Sequence, residues 1–271
     1  MPPSPRTRET APPRDFLVEC LREWPVSLAL LRATEMRKLW RYPLTAPTLD
    51  VGCGDGYFTS CVLETPLEAG IDLKPEAVAR ALAQGVYRQA IVGNVCRMPF
   101  ADRSFASVFS NCVLEHIDGI DEAMAEVGRV LKPGGTFLAT VATPRWETDG
   151  PIPLFRRWGW NALSDRLNVS LRKSWHHVNL LERDGWSAVL AKGKMKMQVW
   201  EPYMAPVAYE DFARYLPTAV FSNFLKRVLG RNVISRSLRR AYAPVLARRF
   251  RASYAAESEK GNLGLFVAVK E

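Results

Sequence analysis

Between residues 47 and 142 the chain repeats one pattern: a short apolar run, a turn, then a stretch whose apolar residues recur every three or four places. Short unbroken apolar runs suit strands buried on both faces, and the periodic stretches suit amphipathic helices. "PTLDV" (47–51), "AGIDL" (69–73), "RQAIVGNV" (88–95), "FASVFSN" (105–111) and "TFLATVA" (136–142) read as strands. Helices are expected over 57–64, from Pro75 to about Gln84, and over 120–131, where Ile120, Met124, Val127, Val130 and Leu131 make the apolar face. Pro75 stands at a helix start, where its missing N–H costs nothing. "KPGG" (132–135) is expected to end the helix before it, since glycine favours a helix C-terminus. Strands alternating with helices predict a parallel sheet covered on both sides.

Either side of this core the rhythm differs. Residues 15–42 read as helix interrupted near Pro25. Beyond residue 143 the chain turns rich in Trp, Arg and Pro, and 145–178 is expected to be a partly helical insertion over one end of the sheet. A helix over "LLERDGWSAVLAKG" (180–193), a strand over "KMKMQVWEPYM" (194–204), helix over much of 205–258 and a last strand, "GLFVAVK" (264–270), complete the reading.

The first strand runs into "LDVGCGDGYFTS" (49–60), with Gly52, Gly54 and Gly56 in five positions. Glycine adopts positive φ and lets the backbone approach a ligand with no Cβ in the way. In open α/β sheets ligands sit at the carboxyl ends of the strands, and a carboxylate at the end of the second strand receives ribose hydroxyls. Asp72 stands there, 20 residues after Gly52. A nucleoside-containing cofactor is therefore expected. The dinucleotide fingerprint fits poorly: its third glycine comes one place early, at Gly56, and bulky Tyr57 fills the next position.

"LDVGCGDG", "GIDLKPEAV" and 92–144, from "VGNVCRMPF" to "VATP", together resemble the class I S-adenosylmethionine-dependent methyltransferases. The likeness is nearest to the small-molecule group that includes the ubiquinone-biosynthesis enzymes. It implies a Rossmann-like α/β fold: a doubly wound, mostly parallel seven-stranded sheet with helical insertions. The likeness covers roughly 32–144, while composition and rhythm make 1–14, rich in Pro and Arg, a flexible tail and 15–271 one domain with insertions at about 145–178 and 205–258. The likeness implies S-adenosylmethionine as cofactor. By the same resemblance Gly52 and Gly54 run against its methionine part, and Asp50 helps hold the amino group, directly or through water. Asp72 accepts from the ribose, Asn94 with the backbone of Val95 meets the adenine, and Ser110 and Asn111 line the methionine end through their backbone. Two positions depart from the family pattern: Asn94 replaces a common Asp, and Ala106 replaces the Asp that usually opens the fourth strand.

Methyl transfer from a sulfonium is an in-line displacement, so the protein's main work is alignment and exclusion of water. A base is needed only for a hydroxyl or a protonated amine. His116 in "LEHI", and His176 and His177 in "KSWHHVNL", are the candidate catalytic residues. Glu115 reads as a local hydrogen-bonding group, and Trp158, Trp160 and Trp175 as walls of an acceptor site or as packing. No metal-ligand cluster is visible in the spacing of three histidines and five cysteines, and the thiols read as free in a reducing cytosol. The N-terminal stretch has no apolar run of signal length, and no window suits a membrane span, so a cytoplasmic protein is expected.

The formal net charge is +9. Much of it lies in 219–254, where arginines interleave with an apolar face at helical spacing. That pattern suits either a lid packed on the sheet or a peripheral contact with an anionic membrane at its inner face. A nucleic-acid partner would need a basic groove with stacking platforms and is disfavoured. The expected partner is a small organic acceptor, lipophilic if the basic stretch meets membrane. RNA methylation and a non-catalytic cofactor-binding subunit remain the alternatives.

Overall fold

A computed structural model describes residues 7–8, 12–63, 66–148, 159–162, 176–219, 222 and 236–271. Its centre is a seven-stranded sheet in the order β3-β2-β1-β4-β5-β7-β6. The strands are β1 (Thr48–Val51), β2 (Leu67–Asp72), β3 (Tyr87–Val92), β4 (Phe105–Asn111), β5 (Leu131–Ala142), β6 (Met195–Tyr203) and β7 (Leu263–Lys270). β1 to β5 pair in parallel, whereas β7 lies antiparallel between β5 and β6. The mostly parallel, Rossmann-like arrangement expected from the sequence is the one observed, with the strand order reversing at β1 and β4.

Alternation along the strands divides the core. Phe137, Ala139 and Val141 of β5 and Phe266 and Ala268 of β7 face one side, with Met124 and Val127 of α5 (Ile120–Val130) and Trp186 and Leu190 of α7 (Arg183–Lys192). Leu138, Ala142, Leu265 and Val267 face the other. That side is covered by α1 (Phe16–Glu23), α2 (Val26–Trp40), α8 (Pro206–Arg214) and α9 (Arg236–Ala255). Both faces are thus roofed, which is why the strands read as unbroken apolar runs. Pro25 separates α1 from α2 as expected. Asp15 caps α1 by accepting from Val18 N at 3.3 Å. The helices α3 (Tyr57–Val62), α4 (Pro75–Ala83) and α6 (Arg145–Thr148) are shorter.

One local expectation is corrected. "KPGG" does not cap α5: the helix ends at Val130, and its cap residue, Leu131, is already extended. Lys132–Gly135 instead bulges from β5, where the pairing jumps from Phe105↔Leu131 to Ser107↔Thr136. Two steps on β4 face five on β5, so the glycines serve a kink in a strand. Most of the insertion expected at 145–178, with Trp158 and Trp175, lies outside the described residues, as do 220–221 and 223–235 of the basic stretch. Trp160 is exposed.

Candidate functional site

At the end of β1 the backbone turns through Gly52 (φ +74°) and Gly54 (φ +55°). A Cβ on Gly52 would stand 2.5 Å from both methyls of Val113, so the chain leaving β4 packs directly on its bare Cα. A Cβ on Gly54 would meet nothing within 4 Å, so this glycine borders open space. Gly52 N and Cys53 N donate to Ile71 O (2.8 and 3.1 Å), tying the loop to β2. Asp72, at the end of β2, accepts from Gly54 N through Oδ2 and from Lys74 N through Oδ1, both at 2.9 Å. The result is a cleft of about 580 Å³ lined by Gly52, Gly54, Asp72, Val95, His116 and His176 among others. Leu73, two-thirds exposed at 67%, forms part of its apolar wall.

Five of the expected residues do not line this cleft: the candidate base His177, and four of the expected cofactor-binding residues. Asp50 is 2% exposed, and its Oδ2 accepts from Thr59 Oγ1 (2.8 Å) and Tyr87 OH (2.6 Å). Burial raises its carboxyl to about 6. Asp50 thus joins β1 to α3 and β3 beneath the loop. Ser110 is buried and donates to Val51 O at 3.0 Å, fixing the end of β4 against β1. Asn94 spends its side-chain oxygen on Cys96 N at 2.9 Å, and its neighbour Val95 reaches the cleft. Asn111 turns away into a buried cluster described below. Tyr57, awkward for a dinucleotide site, avoids the strands by packing edge-on against Trp24 at 5.2 Å.

Residues 49–139 match the methyltransferase domain family, and this span holds the glycine loop, Asp72, Val95 and His116. Residues 49–139 carry a methyltransferase domain. Botryococcene C-methyltransferase of Botryococcus braunii is 31% identical over 45% of this chain and 35% of its own length. Demethylmenaquinone methyltransferase of Symbiobacterium thermophilum is 27% identical over 59% of this chain and 67% of its own. The chain therefore spans between about a third and two thirds of these curated relatives. Geranyl diphosphate C-methyltransferase of Streptomyces coelicolor, solved with Mg²⁺, geranyl diphosphate and S-adenosyl-L-homocysteine, superposes with a TM-score of 0.54. That match covers 90% of this chain and 83% of that one at 12% identity, a likeness of fold.

The short turn after β4, Leu114–His116, carries one of the candidate bases, His116. His116 stacks on His177 with ring centroids 5.0 Å apart, and its Nδ1 lies 3.2 Å from His176 O. Val178 N and Asn179 N donate to Glu115 O (2.8 and 3.1 Å), and Asn179 Nδ2 donates to Leu114 O and Ile117 O (3.0 and 2.6 Å). Asn179 therefore staples the chain after the two histidines onto the β4 exit. Nothing in the residues flanking Asn179 singles it out. Glu115, His116 and His177 bring donor atoms within 4.8 Å of one another. Spacing along the chain alone does not reveal this grouping.

Glu115 is 1% exposed, and its Oε1 accepts from Ala142 N at 3.2 Å. Burial lifts its carboxyl to about 7, and burial with the neighbouring His116 lowers His177 to about 4. The raised acid has a stability consequence. Between about 4.5 and 7 the unfolded chain has lost this proton while the folded chain keeps it, so folding weakens as pH rises through that window. Glu115→Gln removes the titration. In urea denaturation its stability relative to the parent should rise by roughly 2–3 kcal/mol between pH 4.5 and 7.5. A pH-independent difference would show that Glu115 titrates normally.

The fold also contains a polar hub that local sequence patterns do not reveal. Glu35 of α2 is fully buried. Its Oε1 accepts from Tyr203 OH (2.9 Å), Cys112 Sγ (3.0 Å) and Thr140 Oγ1 (3.3 Å), and its Oε2 from Arg32 Nη1 (2.7 Å). With its amide assigned so that the nitrogen faces the carboxylate, Asn111 completes the set, its nitrogen 3.2 Å from Glu35 Oε1 and its oxygen 3.1 Å from Arg32 Nη1. Cys112 takes φ +50°, a left-handed conformation held in place by this cluster. One helix carboxylate thereby ties together the carboxyl ends of β4, β5 and β6.

Proposed function

We propose that this protein transfers a methyl group from S-adenosylmethionine to a small organic acceptor. The observation that carries the reading is the glycine turn with Asp72 at its mouth. Both Asp72 oxygens are oriented by backbone N–H groups, and each keeps acceptor capacity for a ribose hydroxyl. The open side of Gly54 admits a ligand against bare backbone. Leu73, Ile71 and Val95 offer an apolar wall suited to a purine. These features fit S-adenosylmethionine, which supplies an electrophilic methyl on a sulfonium when bound. Gly52 and Gly54 would border its methionine part, and Asn94 would act on the adenine side through Val95. Asp50, Ser110 and Asn111 would act by fixing the loop and the end of β4.

His116 lines the cleft at the β4 exit and is the side chain we assign to the acceptor's proton or its orientation. His177 is held neutral behind it, and His176 contributes through its backbone carbonyl and its place on the cleft wall. For a hydroxyl acceptor His116→Ala should lower kcat about a hundredfold, the ordinary scale of positioned acid–base catalysis, with cofactor affinity unchanged. An unaltered kcat would remove His116 from the chemistry.

Relatives named for botryococcene and for demethylmenaquinone favour a lipophilic acceptor. Five free cysteines suit a reducing, cytoplasmic setting. The test is transfer of labelled methyl from S-adenosylmethionine in an extract of the source cells, partitioned into organic, aqueous and macromolecular fractions. Label in the organic fraction supports the lipophilic reading. Aqueous label restricts the acceptor to polar metabolites, and label in RNA overturns the acceptor class. Cofactor binding with no label in any fraction would overturn the activity itself.

A further inference from the structure

The outer face of α9 is at odds with a helix that meets only water. Its 20 residues contain six arginines and no Asp or Glu. Ala243, Ala247, Phe250 and Tyr254 are buried in the core shared with α1 and α2. On the exposed side stand Leu238 (59% exposed), Tyr242 (56%) and Val245 (59%). At 100° per residue these three fall within an arc of about 60°, a continuous apolar stripe. Arg248 and Arg249 follow it on the exposed surface. Arg251 is engaged with Asp15 at 2.5 and 3.1 Å, and Arg239 donates to Trp24 O at 3.0 Å. Among the described residues Arg248 and Arg249 have no carboxylate within salt-bridge distance.

We infer that this face seats the protein on an anionic bilayer surface, the apolar stripe entering the headgroup–acyl boundary and Arg248 and Arg249 meeting lipid phosphates. Charge selects this occupant. A two-fold pairing of α9 with a second copy would set the same arginines against each other in a chain of net charge +9. A nucleic acid would find an aliphatic stripe with one exposed ring, Tyr242, in place of a row of stacking platforms. An acidic lipid surface accepts both the cations and the apolar side chains.

The experiment is co-sedimentation of the full chain with vesicles of phosphatidylcholine alone or mixed with phosphatidylglycerol. It reads binding without turnover, so it stands apart from the proposed activity. Binding should need the anionic lipid and fall with added salt. Arg248→Ala with Arg249→Ala should weaken it about tenfold or more, and Leu238→Ser with Val245→Ser should weaken it at unchanged salt dependence. Thermal melts that match the parent show that these surface variants remain folded. The inference is overturned by equal binding to neutral vesicles, by variants that sediment like the parent, or by no sedimentation at all. It is equally overturned by a concentration-dependent dimer in light scattering that Leu238→Ser with Val245→Ser abolishes, or by RNA binding lost in the arginine variant.

Discussion

Glu35→Ala will lower the stability of the fold by about 3–5 kcal/mol, the range for breaking a buried ion pair by removing one partner. The loss is spread across the hub. Arg32, about one-third exposed at 32%, can turn its guanidinium toward water, but Tyr203 is buried and has no such exit. Its hydroxyl and that of Thr140 each lose an acceptor, and unsatisfied buried groups carry the larger share of the cost. Glu35→Gln keeps the volume and one oxygen, and should cost less. Equilibrium denaturation in urea measures both. A loss under about 1 kcal/mol for the alanine variant would mean that water or relaxation satisfies the hub, and that Glu35 is not its keystone. Because the hub sets the path of Asn111 and Cys112, the same variant should bind cofactor less tightly than its residual stability alone implies.

Asp72→Ala will weaken S-adenosylmethionine binding by about 1–3 kcal/mol, roughly five- to 150-fold, with little change in global unfolding. The carboxylate organises two backbone N–H groups, Gly54 and Lys74, so its removal both deletes the ribose acceptors and loosens the loop that faces the ligand. Asp72→Asn separates these effects, since its amide oxygen accepts from one N–H only. Calorimetric titration of the three proteins gives the answer. Equal affinity across them would place the ribose elsewhere in the cleft.

Much of this site could be read before the fold was known, for a physical reason. Gly52, Gly54 and Asp72 act through local backbone geometry, so their signature lies within short stretches at the ends of adjacent strands. The strands themselves were legible because a sheet roofed on both faces demands unbroken apolar runs. The misreadings have an equally specific origin. "KPGG" carries the composition of a helix stop, and only the pairing register of β4 with β5 reveals a bulge. Glu35 on α2 looked like any helix glutamate, and its role depends on Cys112, Thr140 and Tyr203, which are brought to it from 77 to 168 residues away. Asn179 was invisible for the same reason, its partners Leu114 and Ile117 lying 65 and 62 residues upstream. Polar groups that are satisfied at long range leave no periodicity to find.

The place of β7 between β5 and β6 bears on how the chain is made. Among the described residues β6 has its ladder only with β7, so a strand synthesised earlier waits for one synthesised later. The cofactor half of the sheet, β3-β2-β1-β4-β5, can assemble while residues 263–270 are still inside the ribosome. During that interval the free edge of β5 and the backbone of β6 are unpaired and able to pair with a neighbouring nascent chain. A ribosome that stalls before residue 263 would therefore release a product with its glycine loop formed and its sheet open, a substrate for chaperones before it is one for chemistry.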